Sequence, residues 1–196
     1  MQEKQSRRTN EQRTQETRRA LIAAARALFL AKGYADTGTP EIVAAAGVTR
    51  GALYHHFEDK RALFLGVVES ELAAVAAEVE QAETPGADPF EALVEGGWGF
   101  FDAMAKEGRT RLLLIEAPAV LGAAELAELD RRHGGRTLVE GLNAAMKGGI
   151  IRTLPVEPLA AMLSAVFDRG ALALQAGADA KEIRQVIRSI LEGLRV

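Results

Sequence analysis

Residues 39–60 read TPEIVAAAGVTRGALYHHFEDK, and their spacing predicts two short helices joined by a tight turn. Thr39 offers a hydroxyl as an N-cap, Pro40 has no N–H to leave unsatisfied in a first turn, and Glu41 puts a negative charge there. Ile42, Val43 and Ala46 fall on one face, and Gly47 suits the left-handed residue that ends a helix. Thr49 is a second N-cap, ahead of a helix in which Leu53 and Phe57 lie one turn apart and face inward. Arg50, Gly51, Tyr54 and His55 are left facing outward, with His56 toward one edge.

Such a face has the chemistry of a recognition helix. An arginine near a helix N-terminus can fork onto guanine O6 and N7, a glycine lets the backbone approach closely, and Tyr or His can reach phosphates and base edges. On spacing alone, an αα-corner with a merely solvated polar face accounts for the pattern equally well.

The flanking sequence adds to this. Residues 21–64, LIAAARALFLAKGYADTGTPEIVAAAGVTRGALYHHFEDKRALF, resemble the N-terminal DNA-binding domain of the TetR (tetracycline repressor) family. The likeness lies in AARALFLAKGY closing the first helix, AGVTRGALYHHF in the turn and recognition helix, and DKRALF opening a fourth helix. It implies an all-α protein: a three-helix helix-turn-helix domain, then a helical domain that binds a small ligand and dimerises. It also implies that Lys60 meets phosphate, so the DNA-binding set is Thr39, Thr49, Arg50, Gly51, Tyr54, His55, His56 and Lys60. Gly38 and Val43 depart from the family, which often has Thr and usually has Ala at those positions.

A chain of 196 residues, 48% hydrophobic, can bury a proper core. It contains no cysteine, so it has neither a disulfide framework nor thiolate chemistry. No apolar run approaches the roughly 18 residues needed to span a bilayer, and MQEKQSRRTNEQRTQ lacks a signal-peptide core. A cytoplasmic location and no membrane partner are therefore expected. The formal charge is −3 but uneven: residues 1–60 carry ten Lys and Arg against seven Asp and Glu, and the remainder fourteen against twenty. A basic head on an acidic body directs one end at phosphate.

Three segments are expected: a flexible basic arm over 1–15 with Lys4, Arg7, Arg8 and Arg13, a helix-turn-helix domain over 16–60, and a ligand-binding and dimerisation domain over 61–196. The arm could follow DNA or simply solubilise. The first helix is expected from about Thr17 to Lys32, with Leu21, Ile22, Ala25, Leu28 and Phe29 as its stripe and Tyr34 covering the small core. A long helix follows from about Lys60 to Ala82. After the linker TPGADP, a helix capped by Asp88 runs to near Gly108 and carries Gly96, Gly97 and Gly99 around Trp98. Glycines are unfavourable in helices, so they signal close packing or a cavity. The expected ligand site comprises Trp98, Phe101, Met104, Leu113, Glu116 and Phe167, although for Glu116 pairing with Arg109 or Arg111 is the commoner fate of such a carboxylate. The last two helices, from about Glu157 to Ala176 and after Asp179, are apolar on more than one face, which suggests a homodimer surface, with Ile187 and Leu191 either in that surface or in the core beneath it.

An enzyme finds little support. No phosphate-binding loop follows a strand, and the adjacent His55 and His56 point about 100° apart on a helix, unlike an i, i+4 metal-binding pair. No cofactor and no metal are expected. A helical protein–protein module without DNA binding is the alternative, but it leaves the polar face of Arg50 to His56 without a purpose. The reading is a sequence-specific transcriptional regulator, a homodimeric repressor released from operator double-stranded DNA by a small, largely apolar effector.

Overall fold

Leu21, Ala25 and Phe29, spaced by four residues, share one side of a helix and are fully buried, as are Ile42, Leu53, Leu63, Phe64 and Val67. In the computed structural model, which describes residues 10–82, 84 and 86–196, these side chains form the core of the first of two compact units, residues 1–68 and 69–196. The first unit contains α1 (Asn10–Lys32), α2 (Thr39–Ala46), α3 (Arg50–His56) and the opening turns of α4 (Lys60–Ala82). Tyr34 lies against Phe64 with ring centroids 4.8 Å apart, and Phe29 meets Phe64 edge-on at 5.2 Å, a favourable aromatic geometry.

Helix α1 starts at Asn10 rather than about Thr17. Residues 11–16 are exposed and lack an apolar stripe, so periodicity is silent there, yet no Gly or Pro interrupts them and Glu11 suits a first turn. Arg13 of the expected arm is thus helical, whereas Lys4, Arg7 and Arg8 lie outside the described residues. The N-cap of α2 is Gly38, not Thr39. Glu41 accepts a hydrogen bond from the Gly38 N–H at 3.3 Å and an ion pair from Lys32 at 2.7 Å. Gly47 adopts φ 65°, and Val48 N–H donates to the Val43 carbonyl at 3.1 Å, which closes α2. Thr49 Oγ1 accepts from Ala52 N–H at 3.1 Å, and Asp59 Oδ1 accepts from Ala62 N–H at 2.7 Å, capping α3 and α4.

The second unit begins with the remainder of α4 and continues through α5 (Pro89–Met104), capped by Asp88, which accepts from Phe90 N–H at 2.9 Å. Pro85 of the linker lies outside the described residues. Then come α6 (Arg109–Arg111), a π-helical turn (Leu112–Glu116), α7 (Ala117–Leu121), α8 (Ala123–Arg132), α9 (Gly134–Lys147), α10 (Val156–Gln175) and α11 (Ala180–Glu192). Pro118 has no N–H to return to Leu114, and the backbone answers by widening: Ala117 N–H donates to Leu112, five residues back. Among the described residues there is no strand, only an isolated bridge between Ile151 and Arg195.

Glycines let α5 and α10 approach. A Cβ at Gly97 would stand 2.7 Å from the Phe167 ring, and one at Gly170 would stand 2.9 Å from the Phe101 ring. Gly99 meets Ala82 of α4 in the same way, also at 2.7 Å. Close packing thus accounts for Gly97 and Gly99.

Arg109 is almost fully buried beside an equally buried Glu71. Its Nε donates to Glu71 at 2.9 Å, and Nη1 donates to the Ala103 carbonyl at 2.8 Å and to Glu78. Removing one partner strands the other charge in the interior, so Arg109→Ala should cost about 3–5 kcal/mol. Chemical denaturation should show this, and Glu71→Gln introduced on the Arg109→Ala background should recover part of the loss.

Candidate nucleic-acid interface and ligand cavity

Helix α3 is held by Leu53, fully buried, and Phe57 immediately after it, so its opposite side is necessarily presented outward. Arg50, Gly51, Tyr54 and His55 are exposed, and His56 is half-buried. The Arg50 guanidinium lies 5.5 Å from the centre of the Tyr54 ring. Hydrogen bonds from Arg50 and then Thr39 hold the Tyr54 phenol below its ordinary pKa, so these three side chains adjoin one another. Thr39 therefore belongs to this face, although not as a cap. His56 is held below its ordinary pKa by burial first, then by the charges of His55 and Arg18.

Lys60 has two engagements within the first unit. Its Nζ donates to the Tyr34 carbonyl at 2.9 Å and the Thr37 carbonyl at 3.1 Å, and it sits 4.2 Å from the Tyr34 ring centre. It clasps the α1–α2 turn, a structural task that its sequence position does not reveal.

The second unit contains a partly open cavity of about 670 Å³. Leu72, Val75 and Val79 come from α4, Leu93 and Phe100 from α5, and Leu138 from α9. Of the side chains expected to hold a ligand, Met104, Leu113 and Phe167 line it. Trp98, Phe101 and Glu116 do not. Trp98 stacks on Phe101 at 6.1 Å with Arg184 5.2 Å from its ring centre, which turns it toward α11, and Phe101 is spent on Gly170. Glu116 pairs with Arg111 at 3.1 Å.

The family model described as "Bacterial regulatory proteins, tetR family" matches residues 21–67, and one described as "Tetracyclin repressor-like, C-terminal domain" matches residues 90–194, more than half of the chain. The chain belongs to the TetR family. Over 109 residues it is 42% identical to the HTH-type transcriptional regulator AcrR of Shigella flexneri, covering 55% of this chain and 50% of that one. Over 64 residues it is 45% identical to the regulator TtgR of Pseudomonas putida, covering 33% of this chain and 30% of that one. The matches to these curated relatives thus span half of their length or less. A TetR-family regulator from Pectobacterium atrosepticum superposes with a TM-score of 0.75 at 28% identity, covering 96% of this chain and 98% of that one.

In TetR terms the head is the first unit. The N-terminal match ends at residue 67 and the compact unit at Val68, within α4. In the TetR body, the polar cavity residues that the sequence reading overlooked include Asp130 near the end of α8, and Ser164 and Asp168, one turn apart on α10. Ser164 Oγ donates to Asp130 Oδ2 at 3.4 Å. Burial, and secondarily the neighbouring Asp130 charge, push the Asp168 carboxyl up to about 7. Burial also raises Asp130, against the pull of Ser164 and His133. The signal available was Asp168, which with Arg169 breaks a largely apolar run of α10, AAMLSAVFDRGALAL.

A carboxyl that releases its proton later in the folded state than in the unfolded chain makes the native state the greater proton binder across that interval. Stability contributed by Asp168 is therefore lost as pH rises from about 4 to about 7. Asp168→Asn should flatten this part of the stability profile and raise the melting temperature most at pH 8, as followed by circular dichroism.

Proposed function

We propose that this protein is a homodimeric, sequence-specific DNA-binding transcriptional regulator, a repressor that a small, largely apolar ligand releases from its operator. The observation that carries the reading is the single outward face of α3, where Arg50, Gly51, Tyr54 and His55 are exposed together above a fully buried Leu53. Thr39, Thr49, His56 and Lys60 flank it, and the first 60 residues are its basic part. The cavity supports the effector role: it is large enough for a drug-sized molecule and mostly apolar. Helix α4 belongs to both units and supplies several cavity residues, so it is the element through which occupancy would act on the head. For that, the ligand must prefer the conformation in which the two recognition helices miss successive major grooves, about 34–36 Å apart.

In this reading Arg50 addresses a base, with Tyr54 holding its guanidinium in place, whereas Lys60 gives the backbone what donor capacity the turn leaves it. Arg50→Ala should cost about 1–3 kcal/mol on operator DNA and relax preference at one position per half-site. Lys60→Ala should weaken all sequences alike, reduce the salt slope by about one, and lower the melting temperature because the turn loses its clasp. Fluorescence anisotropy on genomic fragments recovered by immunoprecipitation and on random duplex measures both effects. Equal loss on the two duplexes for Arg50→Ala would refute base recognition.

Of the two places open to Ile187 and Leu191, burial selects the core, so dimerisation through α10 and α11 calls for other residues. Ile187 and Leu191 are core, at 4% and 1% exposure, while Met162, Val186 and Ile190 stand out at 70%, 57% and 40%. Val186→Glu or Ile190→Glu should yield a folded monomer in sedimentation, whereas Ile187→Glu should unfold the chain by burying an unpaired charge. A folded dimer retained by Val186→Glu together with Ile190→Glu would place the interface elsewhere.

A further inference from the structure

The cavity is not apolar throughout. Glu80 and Glu140 at its wall are both neutralised by Arg136, at 3.2 and 3.1 Å. Asp130 and Asp168 are treated differently. Both line the cavity, both are substantially withdrawn from water, and no Lys or Arg among the described residues stands within ion-pair distance of either. Around them are Ser164, which already donates to Asp130, and Thr137, another cavity residue whose Oγ1 is buried without a hydrogen-bond partner. His133, at the α8–α9 joint next to Asp130, likewise has a buried Nε2 without a partner. Two carboxyls lining the same cavity with no Lys or Arg paired to either, beside an unsatisfied hydroxyl, are unfavourable unless something else completes the set.

We infer that Asp130 and Asp168 form a cation subsite of this cavity, and that the effector is an organic cation: an apolar, aromatic-sized body bearing one ammonium-type group. The inference rests on the effector reading of the second unit and names the chemical class that reading leaves open. The body of such a ligand lies among Leu93, Phe100, Leu138 and Phe167, and its charged group lies between α8 and α10, with Thr137 and Ser164 as neighbours. A metal ion is the poorer occupant, because no group of three or more acidic or histidine side chains suited to a metal occurs among the described residues. The raised proton affinity of Asp168 is consistent with the geometry, because burial and the Asp130 charge both disfavour its ionised form, and a cation beside the two carboxyls would favour it.

Three fluorescent probes with one body isolate the charge: 1-pyrenemethylamine, 1-pyrenemethanol and 1-pyrenecarboxylate, titrated into the full-length protein by anisotropy. The ammonium should bind at least about tenfold more tightly than the alcohol, and the carboxylate most weakly. Asp130→Asn and Asp168→Asn should each reduce that preference, and the double variant should bring the ratio of ammonium to alcohol affinity to about one. Thermal melting checks that the variants fold, and the isosteric Asn, which removes a buried charge, should not lower the melting temperature. The preference should also grow as pH rises from about 6 to 8, as Asp168 loses its proton. Of the other charged cavity groups, Glu80 and Glu140 each pair with Arg136, Asp130 is the second member of the carboxyl pair with His133 beside it, and α5 and the π-helical turn contribute none.

Equal binding of ammonium and alcohol, tighter binding of the carboxylate, or a preference untouched by the double variant would overturn the cation subsite. A parallel titration of operator-bound protein tests the effector reading separately. An Asp-dependent ammonium preference with operator affinity unchanged keeps the subsite and removes the effector role. Release of operator by the alcohol as readily as by the ammonium keeps the effector role and removes the subsite.

Discussion

Two reciprocal ring-on-glycine contacts set the frame of the second unit: Phe167 of α10 rests on Gly97 of α5, and Phe101 of α5 rests on Gly170 of α10. Each glycine is unfavourable in its helix by up to about 1 kcal/mol, and the gain is an approach between helices that no other residue permits. Gly141 on α9 receives Leu93 in the same manner, with an added Cβ 2.9 Å away. With α5 held close to both α9 and α10, the space toward α4 and α8 stays unfilled, and that space is the cavity. Phe167 serves both sides of this arrangement, because it seats on Gly97 and also forms cavity wall.

The body unit handles its buried charges in two contrasting ways. Arg109 has carboxylates and a backbone carbonyl on its donors, a closed set that ties α4 to the turn after α5. Such an arrangement is structural: every charge is answered within the chain, and nothing is left over for a ligand. Asp130 and Asp168 receive only a hydroxyl between them. The difference lies in how much of the hydrogen-bonding and charge requirement the protein itself fulfils, and it separates a scaffold element from a place where something external completes the set.

How much of this was legible depended on whether a local rule governed each residue. Gly47, Thr49, Asp59 and Asp88 act where capping chemistry puts them, and Leu53 against Tyr54 sorts inward from outward by helical spacing alone, so the head and its outward face could be read from residues 39–60. The start of α1 was illegible because residues 11–16 bury nothing. The cavity was half legible. Glycines and aromatics announced close helices, but which ring fills a gap and which borders one depends on the facing helix: adjacent Phe100 and Phe101 divide, the first to the cavity and the second to Gly170. Ile187 and Val186 divide in the same way between core and surface. Asp130 and Asp168 lie 38 positions apart in sequence, and only the packing of α8 and α10 into one wall brings them to a common space.

The π-helical turn at Leu112–Glu116 lets two consecutive leucines, Leu113 and Leu114, both border the cavity, while Ile115 is thrown out to solvent. A wide turn of this kind holds one residue more than the helix around it. Losing a single codon here would restore the regular ladder and rotate the segment beyond by about 100° relative to the segment before it. The lining of the chamber can therefore be re-indexed in one step, with no side chain exchanged, by a change of length instead of identity. Chains descended from a common ancestor can differ in what they admit while aligning almost residue for residue, with a one-position gap before Pro118 as the only trace.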